Sequence, residues 1–183
     1  MRKLGLLMIG CLFLTGCPAG DDMDNDNVAM NDNVATNDNG DGMGAVSSLF
    51  EATLSGDNEV PSITSNVTGA ATFTLSEDGL TLDYTVTVDG DPDVNITAAH
   101  IHLGGADANG AIVASLFAPE AAEAADNLDF SGSLTAADLV ADLQGMDLSE
   151  LVAILESGGA YVNVHSEGNP PGEVRGQIGP VDA

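Results

Sequence analysis

The residues best suited to chemistry are the three histidines. His100 and His102 form an H-x-H pair, His165 closes a Val-rich run, and Arg175 follows ten residues later. Side chains at i and i+2 of a strand face the same side. His100 and His102 can therefore converge on one ion, with His165 supplied by a neighbouring strand. Neutral imidazole suits Cu(II) and Zn(II), and three nitrogen ligands with an open fourth position make a reactive or labile site. His100, His102 and His165 are thus candidate metal ligands, for copper or zinc. The same residues also admit an architectural reading, in which the histidines hydrogen-bond at strand ends and organise nearby loops. Arg175 would then pair with a carboxylate such as Glu173 or Glu167.

The elements that must position these residues are mostly strands. Residues 71–75 and 80–88 alternate apolar with Thr or Asp at period two, the mark of a half-buried strand. Ser76-Glu77-Asp78-Gly79 joins them as a hairpin turn, with Gly at the position needing positive φ. Residues 49–54, 96–103, 111–116, 128–134, 160–165 and 173–178 complete the strand set, and 104–110 is a turn-rich connection. Between 135 and 157 the pattern becomes helical. Thr135 can cap a helix over 136–143, and 149–156 carries Leu, Val and Ile at helical spacing. Residues 118–127 suit either a short helix or an acidic loop. Many short strands with Gly turns predict a mainly β domain over 46–183, an antiparallel Greek-key β-sandwich with a small helical insertion at about 135–157.

Charge limits the functions available. The chain carries 29 Asp+Glu against 3 Lys+Arg, a formal net charge of −26, and Arg175 is the only strong base after Lys3. Nucleic-acid phosphates and anionic head groups would be repelled, and chemistry needing a Lys/Arg cluster is excluded. Cations are the natural partners. Asp89, Asp91 and Asp93 alternate around Gly90 and Pro92, either as a hard-cation site or as a solvated acidic turn. No G-x-S-x-G elbow or comparable nucleophile context is present.

The first 45 residues read as processing and tethering segments. Arg2-Lys3 precedes an apolar run at 4–14, too short for a ~30 Å hydrocarbon core and of signal-peptide length. Leu14-Thr15-Gly16-Cys17 resembles the lipobox of bacterial lipoproteins, which implies removal of 1–16 and acylation of Cys17. Pro18, rather than Asp, leaves the outer membrane open as the destination. The expected product is exported and held on the membrane through lipidated Cys17. Cys11 leaves with the signal, so no thiol pair remains for a disulfide. Residues 17–45 are rich in Asp, Asn and Gly, with the repeat NDNVAM, NDNVAT, NDNG. They read as a flexible tether. Asn37, Asn39, Asp41 and Gly42 also match the start of a calcium loop, with Ser48 where its closing Glu belongs.

Longer stretches carry a family resemblance. ATLSGDNEVP at 52–61, AHIH at 99–102, FSGSLTAADL at 130–139, YVNVH at 161–165 and NPPGEVRGQI at 169–178 together resemble the CHRD domain, a module common in bacterial exported proteins. The resemblance implies a β-sandwich and a non-catalytic, surface-anchored binding module. A second resemblance is confined to the histidines. H-x-H, a later V-H and a C-terminal Arg, in that order, resemble copper/zinc superoxide dismutases, also Greek-key sandwiches. Carried over, it implies copper at His100, His102 and His165, in a carrier or a redox enzyme, with Arg175 guiding an anionic substrate. The chain departs from that family in lacking a fourth histidine to bridge a second metal and a disulfide pair. Its charge would also repel superoxide.

Overall fold

The computed structural model describes residues 49–181. The signal segment, Cys17, the tether with its calcium-loop match, and the domain start at 46 lie outside the described residues. Among the described residues, no helix is long and apolar enough to cross a membrane.

Ten antiparallel strands form one sheet that is nearly closed on itself. The first three are a meander: β1 (Leu49–Ser55), β2 (Thr68–Leu75) and β3 (Leu82–Asp89). β1 alternates exposed and buried residues, so Phe50, Ala52 and Leu54 enter the core, as period-two patterning requires. The turn between β2 and β3 has Gly79 at φ +71°, and Asp78 Oδ1 accepts from Ser76 Oγ and the Leu80 amide.

β4 (Asp91–Leu103) crosses to the other side of the sheet and carries His100 and His102. It pairs with β5 (Ile112–Phe117), β6 (Glu123–Ala125) and β8 (Ala160–Ser166). β7 (Leu128–Leu134) pairs with β3, β9 (Val174–Gln177) joins β8 to β1, and β10 (Gly179–Pro180) lies on β1. The hydrogen-bonded order is β5-β4-β8-β9-β1-β2-β3-β7. Its two ends, β5 and β7, meet through side chains. Phe117 stacks on Phe130 with centroids 4.5 Å apart, and from the adjoining β3 the Tyr84 hydroxyl donates to Leu116 O at 2.7 Å. Sheet closure encloses one core of Val, Leu, Ile and Phe residues. The mainly β, antiparallel expectation holds, in barrel-like form.

Three details differ from the sequence reading. Residues 118–127 contain neither a helix nor only a loop, because Glu123–Ala125 pairs with β4. Asp91 and Asp93 belong to β4 rather than to a loop. The helix expected at 136–143 is two 3-10 turns, Ala136–Asp138 and Ala141–Leu143. Thr135 and Asp138 form the capping box, but the Val140 amide donates to Val113 O in β5 at 2.9 Å and Ala141 takes φ +50°. A tertiary bond thus displaces helix propagation. The next segment does form a helix, α1 (Leu148–Glu156), which buries Leu148, Leu151, Val152 and Leu155, an i, i+3, i+4, i+7 stripe.

Candidate metal centre

β4, β8 and β9 carry a polar face opposite the core. Cross-strand register aligns His100 with Asn163, His102 with Tyr161 and Ala98 with His165. On the next strand Asn163 aligns with Arg175 and Tyr161 with Gln177. Alternation sends Ile101, Val162, Val164 and Val174 inward and these polar residues to the opposite face. The β4–β5 ladder shifts register between Ala99 and His100 and again between Ile101 and His102. Such bulges re-aim side chains beside functional sites.

The three imidazoles cluster. Ring centroids lie 5.9 Å apart for His100 and His102, 5.0 Å for His100 and His165, and 5.8 Å for His102 and His165. One ring nitrogen from each lies within 4.8 Å of the others. Nitrogens around one tetrahedral ion at ~2.05 Å sit roughly 3.4 Å apart, so the cluster lies close to the spacing a bound ion requires.

Hydrogen bonding selects the nitrogens. His102 Nδ1 meets Gly110 O at 3.0 Å and His165 Nδ1 meets Pro170 O at 3.0 Å. A carbonyl only accepts, so each Nδ1 carries the proton and each Nε2 the lone pair. Carbonyl partners of this kind orient metal-binding histidines. The buried side-chain atoms without a partner include His102 Nε2, His165 Nε2 and His100 Nδ1. A buried polar atom left unpaired is costly, and here three imidazoles each leave one. Burial also keeps the rings neutral. Desolvation, then the neighbouring His165 and His102, pushes His100 down to about 4. His102 and His165 are lowered as well, chiefly by burial. Neutral imidazole is the form that binds metal.

Arg175 does not pair with Glu173 or Glu167. Its Nη1 donates to Asn109 Oδ1 at 2.9 Å, and its Nη2 to Gly105 O at 2.8 Å and Ala108 O at 2.9 Å. The guanidinium lies 3.4 Å from the Tyr161 ring centroid, and the residue is 1% exposed. Loop carbonyls that need donors satisfy the guanidinium without a carboxylate. Glu173 instead accepts from Ser65, Ser166 and Asn169, and Glu167 from Asn95. Glu59 was not singled out by sequence. The residue is 8% exposed, Oε2 accepts from Asn163 Nδ2 at 3.3 Å, and Oε1 has no partner. Desolvation pushes it up to about 7, against the Asn163 hydrogen bond and the Arg175 charge. Tyr161 was likewise missed as a site residue. Its ring stacks on His102 with centroids 5.1 Å apart and planes at 13°.

A search of curated proteins found no match. The CHRD domain family model matches residues 50–178, a span that contains all three histidines, Arg175 and every strand of the polar face, and the chain belongs to the CHRD-domain family.

Proposed function

We propose that this chain is an extracytoplasmic CHRD module, lipid-anchored through Cys17, that binds one transition-metal ion at His100, His102 and His165. Family membership supports an extracytoplasmic-type binding module. The observation that carries the metal reading is the set of three buried ring nitrogens without partners, one per imidazole, in a single cluster. All three donors are nitrogen, and Cu(II) heads the divalent series for such ligands, so copper is the proposed ion. The role is binding and carriage rather than turnover. Arg175 is enclosed beneath the 104–110 loop, and the negative chain draws in cations.

The test adds one equivalent of Cu(II) to the purified protein and records electron paramagnetic resonance spectra of wild type and His102→Ala. A type-2 spectrum with nitrogen splitting that weakens in the variant supports the site. Identical spectra would remove it. Fatty-acid labelling that persists in Cys17→Ala would overturn the anchor.

A further inference from the structure

His102 is the most constrained of the three imidazoles. One face of its ring stacks on Tyr161, and the Arg175 guanidinium lies over the Tyr161 ring. Stacking of a cation on an aromatic face is attractive, most of all when desolvated, and both residues are 1% exposed. Arg175 also donates to Gly105 O, Ala108 O and Asn109 Oδ1. A planar guanidinium fork can hold several acceptors in fixed geometry; a Lys ammonium cannot reproduce it. The held loop ends at Gly110, whose carbonyl accepts from His102 Nδ1 and whose amide donates to the Tyr161 hydroxyl at 3.2 Å. A Cβ at Gly110 would overlap the Leu103 carbonyl, so the loop returns tightly against β4.

We infer that Arg175 is a positioning residue of the metal centre: through Tyr161 and the 104–110 loop it fixes His102 with its Nδ1 proton on Gly110 and its Nε2 lone pair toward the ion. The inference rests on the metal reading above. Arg175 acts on the centre from behind a ligand, in place of the substrate-guiding role suggested by the dismutase resemblance.

The test uses the full chain with 15N-labelled histidine. Only three histidines are present, so each imidazole is assignable by its long-range 1H–15N correlations. In the metal-free wild type, His102 is expected as a single Nδ1–H tautomer. Arg175→Lys, which keeps the charge and loses the fork, should give mixed tautomers at His102 with His165 unchanged. Its Cu(II) affinity should fall about 10–100-fold, the usual effect of disturbing an outer-shell partner. Asn109→Ala removes one acceptor of the Arg175 fork and leaves Arg175 and Tyr161 in place; it should show the same change at smaller size, which decides the matter should Arg175→Lys not fold. An unchanged His102 tautomer and unchanged affinity in the folded variants would overturn the inference. A wild type that binds no copper while its variants still shift the His102 tautomer would sink the metal reading and leave Arg175's hold on the ring standing.

Discussion

Replacing Glu59 by Gln should stabilise the protein at alkaline pH and leave it unchanged in mild acid. Glu59 is nearly enclosed, its Oε1 lacks a partner, and its neighbour Asn163 Oδ1 also lacks one. Two acceptors side by side favour a protonated carboxyl that donates between them. The folded state accordingly holds this proton up to about pH 7, against an ordinary value of 4.5. Below 4.5 the acid is neutral in both folded and unfolded chains. As pH rises, the unfolded chain gains by ionising while the folded one does not. Stability therefore falls between 4.5 and about 7 and stays lowered above that. At about 1.4 kcal/mol per unit, the ceiling is about 3 kcal/mol. Gln is neutral throughout and its amide can donate to Asn163. Glu59→Gln should then raise Tm at pH 8.5 by up to on the order of 10 °C for a domain of this size, with little change at pH 4. Thermal melts followed by circular dichroism at both pH values decide it. A variant less stable than wild type at pH 8.5 would refute the reasoning, since it would mean that an ionised Glu59 is held by the Arg175 charge.

The remaining predictions concern the same face and the core. Gly172→Ala would drive a Cβ into both Glu59 oxygens and Asn163 Oδ1; a loss of roughly 1–3 kcal/mol is expected by differential scanning fluorimetry, and an unchanged melt would count against this packing. Leu155→Ala removes a fully buried α1 side chain and should lower stability by about 2–5 kcal/mol in urea titration. The histidines act in the opposite pH direction to Glu59. Their lowered values mean that stability is present above the ordinary 6.5 and is lost as pH falls through the folded values, for His100 about 4. In the Glu59→Gln background the metal-free protein should weaken over that interval, and His100→Gln should weaken less; equal slopes would contradict the desolvation argument.

The elements easiest to read from sequence were those whose burial follows one period. Residues 128–134 alternate cleanly and form β7 over that span, and the apolar stripe of α1 sits within a residue of its expected place. The hidden elements obey neither rule. Glu123–Ala125 pairs at an edge although Ala and Glu favour helix, and the start of β4 contains Pro92 and meets β6 through a shifted register. The histidine cluster was legible because H-x-H and YVNVH are period-two patterns. The same period places Tyr161 and Asn163 on one face with His165. Arg175's partners left no trace in composition, since two of them are backbone carbonyls, which every residue possesses. Glu59 was concealed for a related reason: its burial comes from loop 168–172 and β8 folding over it, not from its sequence neighbours.

The side-chain closure between β5 and β7 has a mechanical consequence. A sheet laddered all round can yield only by breaking backbone bonds, whereas this one has a compliant seam, and the seam begins one strand from His100 and His102. β4 keeps continuous register with β8 across residues 98–103 but is interrupted twice against β5 at the histidines. An ion drawing the three imidazoles together would therefore strain the β5 side first, where closure rests on Phe117 stacked against Phe130. The unbroken β4–β8 ladder would keep the ligands aligned, and the seam would serve as an expansion joint for the proposed site.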